Sequence, residues 1–227
     1  MNVLLMRLSG PLQSWGVQSR FAVRDTGREP SKSGVIGLLC AALGQPRWEP
    51  LDDLVALRMG VRVDQEGRVW RDYHTAQNIL RARGSTKDTE PSTRYYLADA
   101  RFLVGLEGED LSLLTALHNA LRSPVWPLYL GRKACVPGEP VWLRDGLRPA
   151  TNLLSALKTY AWLGCDPARR PDDNQLRIVL ENDEGEAVRP DQPLSFAERR
   201  FAPRRVTTGF IPMPEAEMED SLCISHA

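Results

Sequence analysis

Arginines beside aromatic rings recur along this chain. That pairing suits single-stranded nucleic acid, because guanidinium groups hold phosphates while rings take bases. Pro127-Leu128-Tyr129-Leu130-Gly131-Arg132-Lys133 joins a ring, a glycine and two cations, and Arg94 stands beside Tyr95 and Tyr96. Ser14-Trp15-Gly16 sets a tryptophan in a turn where Gly16 would let the backbone approach a phosphate closely. Arg20, Arg24, Arg28 and Lys32 then lead to Ser33-Gly34, the opening of an apolar helical stretch. Backbone N–H groups at a helix start favour anions. Each cluster alone has an ordinary explanation, such as a tryptophan folded over a sheet edge or a solvated turn. Their recurrence favours binding.

Catalytic arrangements are thinner. The segment Gly27 to Ser33 has the outline of a phosphate-binding loop, but Ser31 stands where a Walker A motif requires glycine before its lysine. His74, within Arg71-Asp72-Tyr73-His74-Thr75, could serve as a general base. With Tyr73 or Lys133 assisting, it gives the alternative of a metal-independent endoribonuclease. The acid pairs Asp52-Asp53 and Glu109-Asp110 suit helix N-termini better than acid/base work. Cys40, Cys135, Cys165 and Cys223 are widely spaced, and His74, His118 and His226 are isolated. No zinc set is formed by these spacings, and no metal or cofactor is expected.

Formal net charge is zero over 227 residues, so overall charge announces no nucleic-acid partner. Its distribution says more. Residues 7–34 carry five basic and two acidic side chains, whereas Glu215 to Asp220 carries four acids and no base. Of the 29 basic residues 25 are arginine, a ratio that a GC-rich genome explains but that leaves the local clustering unexplained. No stretch approaches the ~20 apolar residues of a membrane span, and Arg7 and Ser9 interrupt the N-terminal apolar run. A cytoplasmic protein is expected.

The elements that must position these residues follow from local pattern. Val3–Leu8 reads as a strand ended by Gly-Pro. Ser33–Leu43 reads as a helix capped by Ser31 or Ser33 and closed by Gly44. A short helix is predicted at Leu54–Leu57. Met59–Val63 and Arg68–Thr75, flanking the turn Gln65-Glu66-Gly67, are predicted to pair as a hairpin. Residues 76–92 are either a long loop or a protruding arm. Tyr95–Leu106 returns to strand character, and Leu111–Leu121 repeats at helical spacing up to Pro124. This order predicts an α+β fold, ferredoxin-like or RRM-like, with one sheet face free for a ligand. Beyond residue 125, prolines break the chain. A helix at 150–163, a strand at Gln175–Glu181 with a turn at Asn182–Gly185, and the basic run Arg199–Arg205 predict a smaller β-rich part. The acidic tail from about residue 214 is expected to be disordered.

The chain resembles the I-E branch of the Cas-five family, the CasD subunits of type I-E CRISPR Cascade complexes. The matching residues run in order. They are Arg7 through Gly16, Thr26-Gly27-Arg28, Pro30, Ser33-Gly34, Gly37-Leu38-Leu39, Arg71 through Thr75, Tyr96-Leu97, Asp99-Ala100, Tyr129 through Arg132, Cys135, and Arg200-Phe201-Ala202. The resemblance implies an RRM-like core over residues 1–125 with a thumb at about 75–94, and a C-terminal part, 126–227, packed on it. It implies a non-catalytic role: capping the 5′ end of the CRISPR RNA and holding its handle in a hooked shape. Partners would be the backbone subunit and the large PAM-reading subunit, with target DNA nearby. The thumb would cross the guide RNA and help displace a nucleotide from the guide–target duplex.

Arg94 falls where the family places a handle-contacting arginine, and Tyr129 and Arg132 fall in a handle-facing turn. Relatives that cut RNA use a tyrosine with a Lys-His pair, whereas the lysines here precede Ser33, Asp88, Ala134 and Thr159. The thumb segment, Ala76 to Thr93, departs from the family's sequence. The expected RNA-binding set is Ser14, Trp15, Gly16, Arg20, Arg24, Arg28, Lys32, Ser33, Tyr73, His74, Arg94, Tyr129, Gly131, Arg132 and Lys133. Arg24, Arg94 and Arg132 are expected to converge on one cleft.

Overall fold

The computed structural model describes residues 1–18, 22–82, 84–164 and 166–214. Arg20, Cys165, Cys223, His226 and the acids of the tail lie outside the described residues. The chain runs β1 (Asn2–Ser9), β2 (Leu12–Gln13), β3 (Val23–Arg24), α1 (Lys32–Leu43), α2 (Asp52–Val55), β4 (Arg58–Gln65), β5 (Arg68–Leu80) and β6 (Thr86–Ala98). It continues through β7 (Arg101–Gly108), α3 (Leu111–Arg122), β8 (Trp142–Arg148), α4 (Leu153–Thr159), β9 (Gln175–Glu181), β10 (Ala187–Ser195) and β11 (Arg200–Pro212). The architecture is α+β, with mostly antiparallel sheets and few helices.

A seven-stranded sheet has the order β10-β11-β9-β4-β7-β1-β8. β1 lies deep within it because both of its residue sets are apolar and buried. Leu4, Met6 and Leu8 pack with α1 and α3, whereas Val3 and Leu5 pack with Leu153, Ala156 and Leu157 of α4. The predicted free sheet face is therefore corrected: α4 covers it. The uninterrupted apolar run Val3-Leu4-Leu5-Met6 is the mark of a strand buried on both sides.

The predicted pairing of β4 with β5 is also corrected. β4 pairs β7 and β9, while β5 pairs β6 in a second sheet. β4 is buried along almost its whole length and β5 is mostly exposed. Alternation in sequence identifies a strand, not its neighbour. Residues 76–92 are thus strand on either side of a tip, within a register running from Arg68↔Ala98 to Leu80↔Thr86. Tyr95–Leu106 is two strands rather than one, parted at Asp99, where φ is +56°.

Local signals explain most helix ends. Ser31 Oγ accepts from Gly34 N, and Gly44 closes α1 at φ +71°. The helix predicted over 150–163 is shorter, because the buried Arg62 guanidinium takes the carbonyls of Leu157, Tyr160 and Ala161 at 2.6, 2.6 and 2.8 Å. Arg62 is itself held by Asp64 at 2.6 and 2.7 Å.

Candidate nucleic-acid interface

The small second sheet brings distant cations together. β3 pairs β6 in parallel, with Arg24 opposite Arg94. Across β6, antiparallel β5 sets Asp72 opposite Arg94, Trp70 opposite Tyr96 and His74 opposite Ser92. Directly paired residues share a face, so Arg24, Arg94, Trp70, Asp72 and His74 lie together on the Tyr96 side. The Arg132 guanidinium stacks 4.9 Å from the Tyr96 ring centroid. The structure therefore brings Arg24, Arg94 and Arg132 to one place. Arg132 is already committed there: it donates to the carbonyls of Tyr95 (3.2 Å) and Asp25 (3.0 Å). It ties the base of the β5–β6 hairpin to the turn that carries it. Tyr73, 66% exposed, alternates onto the opposite face from His74.

That turn, residues 129–135, also borders a groove on α1. Gly131 sits at φ +88°, and a Cβ there would stand 1.7 Å from the Ser14 carbonyl oxygen. Ser14 N donates to the Leu130 carbonyl at 3.0 Å. Ser14 is buried in this joint and faces no ligand. On the far side, Ser33, Gly34, Gly37 and Ala41 of α1 floor a groove of about 500 Å³, walled by Tyr129, Lys133, Trp126, Phe196 and Arg47. Four expected residues, Ser33, Tyr129, Gly131 and Lys133, meet there. Small floor residues leave room for a planar base, and two cations stand ready for phosphate.

Other expected contacts are corrected. Lys32 is 1% exposed, and its Nζ pairs with Glu181 at 2.8 Å. Burial lowers its pKa against the pull of Glu181. No phosphate reaches it. The α1 N-terminus takes the chain's own anion, since Lys32 N donates to Asp191 Oδ2 at 2.8 Å. Trp15 is 2% exposed, donates through Nε1 to Gln13, and lays its ring against Gly34. It shapes the site from beneath and cannot stack on a base. Gly16 serves a chain crossing, because a Cβ there would fall 2.4 Å from the Asp25 carbonyl oxygen. Arg28 is exposed, with no ion-pair partner among the described residues.

Sequence reasoning passed over Trp70, 63% exposed beside Arg94, and the groove residues Arg47, Trp126 and Phe196. A ring set between Arg68 and Arg71 was a signal for Trp70. Gly34, Gly37 and Ala41 on one helical face were the signal for the groove. Among the described residues, no group of three or more His, Cys, Asp or Glu could hold a metal ion. No helix there is long and apolar enough to cross a membrane.

The sequence model of the family described as CRISPR-associated protein (Cas_Cas5) matches residues 3–207. The chain belongs to this family. It is similar to the CRISPR system Cascade subunit CasD of Escherichia coli (strain K12), at 35% identity over 224 residues, covering 89% of this chain and 93% of that one. A solved structure described as a crystal structure of a Cas protein is 48% identical, with TM-score 0.78 over 94% of this chain and 98% of its own. A chain of a CRISPR RNA-guided surveillance complex is 33% identical, with TM-score 0.78 over 93% of this chain and 91% of its own. These likenesses span both sheets, so the interface belongs to a shared scaffold.

Proposed function

We propose that this protein is a non-catalytic subunit of a type I-E CRISPR surveillance complex, binding and capping the 5′ handle of the CRISPR RNA. The observation that carries the reading is one joint. The turn at 129–135 lines the α1 groove with Tyr129, Gly131 and Lys133, and through Arg132 it holds the strands bearing Arg24 and Arg94. Rings, small residues and unpaired cations along such a path suit a single strand with splayed bases. The order β4-β7-β1-β8, with α1 and α3 on one face, is read as ferredoxin-like or RRM-like. The β5–β6 hairpin is read as the thumb crossing the guide. The strands after residue 126 extend the core sheet as its C-terminal part. The remaining surfaces are assigned to the backbone subunit and the large PAM-reading subunit, in the cytoplasm.

The endoribonuclease alternative finds less support. Tyr73 and His74 point to opposite faces of their strand, and Lys133 belongs to the α1 groove. The test is reconstitution with sister subunits and guide RNA. Arg24→Ala and Arg94→Ala should each weaken handle binding by about 1–3 kcal/mol, read by fluorescence anisotropy. Unchanged affinity in both would overturn the reading. Accumulating cleavage of repeat RNA in EDTA, lost in His74→Ala, would favour the alternative.

A further inference from the structure

One face of the small sheet carries more positive charge than its own acid offsets. Arg68, Trp70, Asp72 and His74 alternate onto that face of β5, with Arg94 of β6 and Arg24 of β3 beside them. The row sets three arginines against one acid, Asp72. Arg24 and Arg68 have no ion-pair partner among the described residues.

The chain leaves its last strand where this row begins. β11 ends with Pro212 opposite Gln175, and Met213 N donates to the Asn174 carbonyl at 2.8 Å. Gln175, Phe210 and Arg68 line one cavity. Two further cations of that lining are engaged, Arg177 by Glu66 and Glu29, and Arg169 by Asp99 and Asp166. Beyond Pro214 the sequence sets Glu215, Glu217, Glu219 and Asp220 within six residues, with no base among them. Extended at about 3.3 Å per residue, residues 215–220 span about 20 Å, the length of β5 from Arg68 to His74. Charge sign, point of departure and length all match.

We infer that residues 215–220 lie along this arginine row in the unassembled subunit and give way to RNA. A tethered segment meets its site at roughly millimolar effective concentration, so a few exposed charge pairs suffice to hold it. Such pairs are weak and screened by salt. A strand that also fills the α1 groove displaces them, whereas a strand offering phosphates alone competes poorly. The inference rests on the RNA-binding reading above and adds to it a competitor carried by the chain itself.

The experiment uses the full chain. Arg68→Lys places an amine on the row, and a carbodiimide then joins it to any carboxylate in contact. Mass spectrometry should find an amide from position 68 to Glu215, Glu217, Glu219 or Asp220. That amide should fall at least fivefold with saturating handle RNA, and equally in about 1 M salt, where the Debye length is about 3 Å. In a second arm, Glu215→Gln, Glu217→Gln, Glu219→Gln and Asp220→Asn are combined. Anisotropy at low salt should show single-stranded RNA lacking the handle bound at least threefold more tightly, with the gain shrinking as salt rises. An amide only to Glu66 or Asp72, an amide to the tail that handle RNA leaves unchanged, or equal RNA affinity in the combined variant would overturn the inference. The RNA-binding reading would survive any of these if Arg24→Ala and Arg94→Ala still weaken handle binding, and would fall with the inference if they do not.

Discussion

Lys32→Met separates the two roles open to this lysine. Methionine keeps the length and apolar stem of the side chain and the backbone N–H to Asp191, so only the charge is lost. Glu181 would then retain the Met59 N–H at 3.1 Å and Arg204 at 3.8 Å. Removing one partner of a buried pair costs about 3–5 kcal/mol. Glu181 is 15% exposed and keeps a second cation, so the cost falls just below that range, about 2–3 kcal/mol. For a chain of this size that corresponds to a melting temperature lower by roughly 4–12 °C. Lys32→Met with Glu181→Gln should recover at least half of the loss, because no unpaired carboxylate remains. Thermal and urea unfolding read the stability, and handle affinity of the folded variant should match the parent. An unchanged melting temperature with a tenfold weaker handle affinity would refute the assignment and return Lys32 to the RNA.

Gly131→Ala should lower stability by on the order of 3–5 kcal/mol in urea unfolding, because the turn must move away from Ser14 and leave the left-handed region. Gly37→Leu should act in the opposite way. Its Cβ would meet only Phe196 at 3.6 Å, and replacing a helical glycine gains about 0.5–1 kcal/mol. Unfolding should therefore be unchanged or later, while handle affinity falls at least tenfold. Asp110 caps α3, and hydrogen bonds from Ser112 and Leu113 hold its carboxyl below the ordinary aspartate range. A lowered folded-state pKa gives stability above the unfolded value that disappears as pH falls through the folded one. The stability difference between the parent and Asp110→Ala should thus persist at neutral pH and vanish on acidification.

Legibility in the sequence followed distance along the chain. Ser31 and Gly44 announce α1 because a cap and a closing glycine act within one helical turn. The burial of Lys32 is invisible because Glu181 and Asp191 lie 149 and 159 residues away. Arg132 reads as a phosphate clamp from its neighbours Tyr129 and Lys133. Only the fold reveals that its acceptors are carbonyls 37 and 107 residues distant. The pairing of β4 failed for a related reason: a three-residue turn to β5 is a local signal, and burial of β4 between β7 and β9 outweighs it. The approach of Arg24 to Arg94 was anticipated by their types and by the family's pattern, not by any periodicity.

Zero net charge and a grip on RNA are compatible because the arginines divide into two populations. Inside the fold they are matched with acids: Arg62 with Asp64, Arg204 with Asp191, Arg7 and Arg101 with Glu139, Arg177 and Arg189 with Glu29. Apart from Arg62 with Asp64, these groups join segments distant in sequence, and their acids offset much of their charge. Around the groove and the small sheet, Arg24 and Lys133 have no ion-pair partner among the described residues, and Arg94 makes a 3.4 Å bond to Ser92. A phosphate arriving there meets cations that need not break an existing pair. Ends of one strand thus find local charge, while the rest of the surface stays neutral enough to pack against protein. A uniformly basic chain would bind RNA anywhere along its surface, whereas matched interior pairs confine the attraction to one path.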